Sequence, residues 1–388
     1  MEISACVKYV GVNDHQVDLF EGQYKVPNGM SYNSYVILDD KIAIMDTVDG
    51  FFTEEWMNNV EQVLDGKMPD YLVIQHMEPD HSASIPAFLK KYPKATVVST
   101  AKGFQFMEQF FPEFFAEQGL PAEQRIVAAN DGVLELGQHS LHFVYAPMVH
   151  WPEVMMTYEA TEKILFAADG FGKFGALDAE EEWADEARRY YIGIVGKYGP
   201  QVQAVLKKAA GLDIWTICSL HGPVLKENLG FYLEKYDRWS SYQPEESGVV
   251  IAYASVYGNT RNAAEYLADV LQEKGQKTVL YDLARCDKAK AVADAFRYDR
   301  LVLAGITYNG DLFPCMRSFI EGLTERNYQN RKVAIIENGT WAPMAGKLIL
   351  GMFEKSKNLT FTETTVSIKS AMNEQNKGEI GKLAEELC

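Results

Sequence analysis

Residues 71–81 read Tyr71-Leu72-Val73-Ile74-Gln75-His76-Met77-Glu78-Pro79-Asp80-His81. The run YLVIQ has the apolar, β-branched character of a buried strand. Directly after it, four ligand-capable side chains (His76, Glu78, Asp80 and His81) fall within six residues. Pro79 stiffens the segment and holds Glu78 extended. A loop of this kind at a strand end points several ligands into one pocket. A lone His or Asp carries no such message. Four polar groups beside a hydrophobic strand are costly to bury without partners, and a metal ion partners many at once. The bland alternative is a solvated acidic turn.

Further out, the chain divides into two styles. The first half is rich in short strand-like runs: 34–40, 41–48, 71–75, 95–100, 141–147 and 163–169. Helical runs at 53–64 and 84–92 lie between some of them, which suggests sheets sandwiched by helices. The stretch DRWSSYQPEESG (237–248) is polar, carries Pro244 and Gly248, and reads as a linker. Beyond it, strand runs at 249–255, 278–283, 300–307, 332–338 and 359–366 alternate with helical patterns at 259–274, 288–296, 316–326, 343–355 and 378–387. Five strand-then-helix units argue for a doubly wound parallel sheet. The expected domains are 1–245 and 246–388.

Composition narrows the function classes. The 388 residues fit two domains, and the 47% hydrophobic content supplies their cores. A net charge of -17 disfavours nucleic acid and anionic membrane surfaces as partners. The five cysteines, Cys6, Cys218, Cys286, Cys315 and Cys388, are odd in number, and none forms a C-x-x-C pair. That argues against a disulfide framework, a zinc ribbon or an iron–sulfur cluster, and for a reducing compartment. The N-terminus shows no secretory pattern, and no apolar run is long enough to span a bilayer. The expected location is the cytoplasm.

The 76–81 spacing resembles the H-x-H-x-D-H loop of the metallo-β-lactamase-type fold, with Glu78 in place of the second histidine. That replacement characterises the flavodiiron proteins, or A-type flavoproteins, and the resemblance continues downstream. His150 stands in MVHWPEVM, Asp169 in FAADGFGKFG and His221 in CSLHGPV. The resemblance implies an N-terminal αββα sandwich in which His76, Glu78 and His150 hold one iron. Asp80, His81 and His221 would hold the other, with Asp169 bridging them. His15, His139 and His142, the remaining three of seven histidines, read as ordinary residues. Independently, hard carboxylate oxygens among imidazoles suit iron or manganese, while more imidazole and thiolate suit zinc. A zinc hydrolase of the same fold is the competing reading. Asn33 and Asp46 resemble positions that shape the first strands; they read as a turn residue and a strand-end cap, without catalytic roles.

In the second half, Ser255-Val256-Tyr257-Gly258-Asn259-Thr260 follows a strand and opens a helix, the setting for a phosphate on backbone N–H groups. Neither G-x-x-x-x-G-K-[ST] nor G-x-G-x-x-G is present there, which disfavours a triphosphate or a dinucleotide. The loop resembles that of flavodoxin, which binds the FMN phosphate; simple helix capping is the alternative. Two more loops lie at carboxyl ends of strands: Thr307-Tyr308-Asn309-Gly310 and Asn338-Gly339-Thr340-Trp341. Open parallel sheets bind ligands at such ends. Tyr308 and Trp341 are candidates for packing on the flavin ring, or for the core.

The resemblance covers the whole chain and implies an oxidoreductase. Electrons would pass from FMN to two iron ions that reduce dioxygen to water, nitric oxide to nitrous oxide, or both. Two electrons on the flavin and two on the irons make the four that dioxygen requires. It also implies a head-to-tail homodimer, or a dimer of dimers, and an external donor such as rubredoxin or a reduced deazaflavin. A redox sensor or electron carrier without turnover is the other rival class.

Overall fold

The computed structural model describes residues 3–388, which form two compact units. One comprises the described residues up to 190 together with 200–236; the other comprises 191–199 and 237–388.

The first unit is built on two sheets. Six strands run in the order Val7–Tyr9, Tyr35–Ile37, Ala43–Met45, Tyr71–Val73, Thr96–Ser99 and Arg125–Val127. The first three pair antiparallel, and from Ala43–Met45 onward the pairing is parallel. Five strands make the second sheet: Val133–Glu135, Ser140–Tyr145, Met155–Glu159, Ile164–Phe166 and Thr216–Cys218. Its last pair is parallel and the rest antiparallel. Side chains from both sheets share one core. Tyr35, Ile37, Met45, Val73 and Val98 meet Leu141, Phe143, Met155, Ile164 and Phe166 in it. Strand Tyr35–Ile37 is buried on both faces, so helices must cover its outer side. Helix Thr53–Leu64 buries Trp56, Met57, Val60 and Leu64, a stripe at helical spacing, and Trp56 packs on Phe88 of helix Ile85–Lys91. Layered sheets with helices outside are the expected αββα sandwich.

The second unit carries a five-stranded parallel sheet ordered Thr278–Asp282, Glu246–Tyr253, Tyr298–Tyr308, Arg331–Asn338 and Leu359–Ile368. The sequence order 2-1-3-4-5 is that of flavodoxin-like doubly wound sheets. Helix starts are capped as the sequence dictates. Asp287 accepts from the Ala289 and Lys290 N–H groups, and Asn373 and Asn376 form a reciprocal capping box.

Two expectations need correcting. Residues 237–248 are not an open linker: helix Leu229–Ser240 runs into them, and strand Glu246–Tyr253 begins before their end. Trp239, Ser240 and Tyr242 are buried there, so packing overrides a turn-like composition. The segment after Glu78 is not wholly loop either. Pro79–Ser82 is one helical turn with Pro at its first position, while Glu78 at φ -59, ψ 139 is extended as expected.

Candidate functional site

Each ligand-bearing segment is aimed by its own backbone. His76 and Glu78 leave the end of strand Tyr71–Val73, and the turn Pro79–Ser82 then presents Asp80 and His81. Asp46, at the end of strand Ala43–Met45, fixes that exit. Its carboxylate accepts the Gln75 N–H at 2.7 Å, the Gln75 side-chain amide at 2.8 Å and the His76 N–H at 3.4 Å. Burial, only partly offset by the Gln75 bonds, pushes the Asp46 carboxyl up to about 6. Asn33 is no turn residue: it lies fully buried and clamps the His221 loop, donating to the Ser219 carbonyl at 2.9 Å and the Gly222 carbonyl at 2.8 Å. Met148, Ala168 and Phe171 have φ of 63°, 47° and 65° beside His150 and Asp169. Left-handed non-glycine backbone of this kind concentrates where a site over-determines the chain.

The seven expected metal-site residues fall into two tight groups: His76, Glu78, His150 and Asp169, and Asp80, His81 and His221. Glu78 Oε2 stands 3.1 Å from His76 Nε2 and 3.0 Å from His150 Nε2. Asp169 Oδ2 lies 3.3 Å from His150 Nε2 and 3.6 Å from His76 Nε2. Its other oxygen, Oδ1, lies 3.2 Å from His81 Nε2 and 3.8 Å from His221 Nε2. Asp80 Oδ2 is 3.3 Å from both of those imidazoles, and the two Nε2 atoms are 3.1 Å apart. One carboxylate thus faces two clusters, one oxygen to each.

This arrangement fits a pair of cations. Both oxygens of Asp80 and both of Asp169 are buried without a hydrogen-bond partner. Their close neighbours are imidazole nitrogens, and a metal ion between the two would offset the cost of burying carboxylates without hydrogen bonds. The imidazoles are already set as ligands. His76 Nδ1 is 2.7 Å from Glu153 Oε1, and His221 Nδ1 is 2.7 Å from the Ser31 carbonyl. Each acceptor holds a ring proton on Nδ1, so Nε2 is the nitrogen that faces the cluster and would bind a metal once its own proton is shed. Glu153, which sequence reading passed over, also accepts the Met77 N–H at 2.9 Å. Replacing it with Gln removes the charge that makes His76 basic, so Glu153→Gln is expected to weaken iron binding by about 10-fold, the lower end for such outer partners. Anaerobic ferrous titration measures it.

The protonation of the cluster follows from the same contacts. Burial alone lowers an imidazole pKa, but the Asp169 and Glu78 carboxylates outweigh it and push His150 up to about 9. His76, under Glu153 and Glu78, and His81, under Asp80 and Asp169, also rise against their burial. Burial raises Glu78 and Asp169, yet the surrounding imidazoles hold both below the ordinary carboxylate range. An imidazole must shed its proton to bind a metal. His150 holds its proton below pH 9, so metal affinity should fall as pH drops, by about tenfold per unit for this group alone. Ferrous titration of chelator-stripped protein at pH 6.5 and 8.5 is therefore expected to differ by about 100-fold or more, tighter at the higher pH.

In the second unit a cavity of about 510 Å³ opens at the carboxyl ends of the parallel strands. That is an ordinary size for a cofactor site. Of the fourteen residues expected there, thirteen line it: Ser255, Val256, Tyr257, Asn259, Thr260, Thr307, Tyr308, Asn309, Gly310, Asn338, Gly339, Thr340 and Trp341. Gly258 does not line it; at φ 91 it caps helix Asn259–Glu273 and donates its N–H to Ser255 Oγ at 3.1 Å. Among the described residues no Lys or Arg lines the cavity, so an anion there rests on N–H groups and hydroxyls at a helix N-terminus. Ile306, Ala342, Met344 and Ser370 complete the lining and were not expected. Two of the polar side chains already serve the scaffold. Thr307 Oγ1 accepts the Met344 N–H at 2.8 Å, and Asn338 exchanges bonds with Ser370 and reaches Thr260 Oγ1 at 3.3 Å. Trp341 and Tyr257 are 90% and 92% exposed, which rules out a core role for Trp341 and leaves both rings at the rim.

Comparison with known proteins agrees with this geometry. Residues 30–222 match the ODP family beta lactamase, and residues 250–358 match a flavodoxin domain. A nitric oxide reductase of Moorella thermoacetica is 29% identical, over 88% of this chain and 86% of its own. A flavodiiron protein of Giardia intestinalis superposes with a TM-score of 0.89 at 26% identity, covering 100% of this chain and 96% of that one. The rubredoxin oxygen:oxidoreductase of Desulfovibrio gigas gives 0.91 at 24% identity, over 100% and 97%. Some curated relatives are longer, and the chain spans about half their length (48% in one). A lactamase-type domain followed by a flavodoxin domain is the shared plan, and the chain belongs to the flavodiiron proteins.

Proposed function

We propose that this chain reduces dioxygen to water, nitric oxide to nitrous oxide, or both, with electrons delivered through FMN. The observation that carries the reading is Asp169, whose two oxygens, neither with a hydrogen-bond partner, face the imidazoles of separate ligand clusters. His76, Glu78 and His150 would hold one iron and Asp80, His81 and His221 the other, with Asp169 between them. When bound, the irons and the flavin supply the four electrons that dioxygen needs, or the pair that couples two nitric oxide molecules. The chain's own residues do the rest. Glu153 and the Ser31 carbonyl hold the Nδ1 protons, Asp46 holds the His76 exit, and Asn33 holds the His221 loop. Phe20 and Tyr190 pack on His221 at ring distances of 5.4 Å and 5.5 Å, and Trp151 packs on His76 at 5.3 Å.

The domains would run 1–245 for the diiron part and 246–388 for the flavin part. Val256, Tyr257 and Trp341 present an exposed apolar rim beside the flavin cavity, which supports a head-to-tail homodimer as the working unit. Full activity of a monomer at high dilution would contradict that. Rubredoxin, which gives the Desulfovibrio gigas enzyme part of its name, or a reduced deazaflavin would be the donor. The five cysteines are all free, and no helix among the described residues is long and apolar enough to cross a membrane. The free thiols support a reducing, cytoplasmic setting.

The test is anaerobic reduction followed by parallel exposure to each gas. Iron-loaded protein is expected to consume at least one gas rapidly, giving water without peroxide, or nitrous oxide. Chelator-stripped protein that keeps its FMN is expected to lose that activity. Equal consumption with and without iron sinks the reading.

A further inference from the structure

Outside the two sites above, three ligand-type side chains meet in the first unit: Cys6, His139 and Glu162, whose donor atoms all lie within 4.8 Å of one another. They come from three separated segments. Cys6 precedes strand Val7–Tyr9, His139 precedes strand Ser140–Tyr145, and Glu162 sits in the turn between Met155–Glu159 and Ile164–Phe166. We propose that they form a third metal site, suited to zinc, which ties the edge of one sheet to two turns of the other.

Each segment is held by bonds that leave its donor free. The Cys6 carbonyl accepts the Leu38 N–H at 2.9 Å, and its N–H reaches Ser4 Oγ at 3.2 Å. Asp39 Oδ2 stands 2.7 Å from the His139 N–H and 2.8 Å from its Nδ1. That carboxylate fixes the proton on Nδ1 and turns the Nε2 lone pair toward Glu162 Oε1, 3.8 Å away. A carboxylate behind the far ring nitrogen is one of the usual supports of an imidazole metal ligand. The Glu159 carboxylate accepts the Thr161 and Glu162 N–H groups at 2.8 Å and 2.7 Å, so the turn carrying Glu162 is fixed as well. The second oxygen, Glu162 Oε2, is buried with no hydrogen-bond partner. His139 is itself 95% buried, so this is no loose surface grouping.

The donor chemistry selects the ion. One sulfur, one imidazole nitrogen and one carboxylate oxygen form a borderline-soft set that suits zinc and disfavours magnesium or calcium. Donor atoms on one tetrahedral zinc stand about 3.3–3.8 Å apart, given bonds of about 2.0–2.3 Å, so modest closure completes the site. Three protein ligands leave the fourth position for water. Burial and the negative charges of Glu162 and Asp39 push the Cys6 thiol up. A divalent cation reverses that balance, with the thiol proton released to solvent as the Zn–S bond forms.

The proposed diiron ligands include no cysteine, so sulfur separates the sites. Iron- and FMN-loaded protein is exposed to zinc, desalted and measured for metal content and zinc-edge X-ray absorption. One added zinc per chain is expected, with iron unchanged and one sulfur neighbour at about 2.3 Å. Cys6→Ser should remove the sulfur neighbour, and Cys6→Ser or His139→Gln should lower zinc affinity at least about tenfold. Gas consumption should be unaffected. No retained zinc, zinc without a sulfur neighbour, or a sulfur neighbour that survives in Cys6→Ser overturns the proposal. A measurement on the unaltered chain guards against a variant that fails to fold: zinc should slow iodoacetamide alkylation of Cys6 at least about tenfold, as a metal-bound thiolate requires. An unchanged rate overturns the proposal too.

Discussion

Replacing Glu78 with alanine is expected to strip iron from the purified protein and abolish gas consumption, while FMN remains bound at full occupancy. Glu78 Oε2 stands between two imidazole nitrogens, 3.1 Å from His76 and 3.0 Å from His150. Without it, the first cluster loses one of its two anions. Removing a mere outer partner of a metal ligand typically costs 10- to 100-fold in affinity or activity, and removing a direct ligand should exceed about 100-fold. The fold should survive. Glu78 makes no side-chain capping bond to the turn Pro79–Ser82, and part of its side chain already reaches solvent. The residues expected to contact FMN belong to the other compact unit, so flavin content serves as the internal control. Unchanged iron content in Glu78→Ala counts against the ligand assignment.

The second large effect is expected from Gly258→Val, with the opposite pattern: FMN is lost and iron is retained. Gly258 has φ +91 at the head of helix Asn259–Glu273. Space is not the obstacle, because an added Cβ would meet only Arg261 Nη2 at 3.8 Å. The conformation is. A residue with a Cβ avoids this region by about 1–2 kcal/mol, and β-branching makes it a true outlier. The loop must turn to accommodate valine, which breaks the Gly258 N–H bond to Ser255 Oγ and scatters the N–H groups meant for the phosphate. A loss of about 1.4–3 kcal/mol in phosphate binding corresponds to an FMN affinity about 10- to 100-fold weaker. Flavin retention on gel filtration, read beside iron content, gives the answer. Unchanged FMN binding would remove the phosphate loop from this site.

The two sites were unequally legible in the chain. His76, Glu78, Asp80 and His81 are close neighbours, and their mixed chemistry beside an apolar strand is visible without any comparison. His150, Asp169 and His221 are isolated positions; only family resemblance singled them out, because no spacing rule links residues brought together by sheet packing. The parallel sheet of the second half was plain, since its strands Glu246–Tyr253, Tyr298–Tyr308 and Arg331–Asn338 are long runs of buried aliphatics. Strands of the first half, such as Thr216–Cys218 and Val133–Glu135, are three residues long, too short for a period to show. The supporting residues were the least legible. Glu153 and Asn33 look like any surface Glu and any turn Asn until the fold places one on His76 and the other on the His221 loop. His139 read as ordinary for the same reason: its neighbours Cys6 and Glu162 lie far away in sequence.

Everything turns on whether this chain stores electrons on two metals as well as on its flavin. Stepwise anaerobic reduction of iron- and FMN-loaded protein, followed by stoichiometric reoxidation with gas, counts them. The expected total is about four reducing equivalents per chain, two bleaching the flavin bands and two leaving them unchanged, all recovered by one dioxygen without peroxide. A titration complete at about two equivalents, all on the flavin, would leave an ordinary flavodoxin fused to an inert lactamase-type domain and contradict the account.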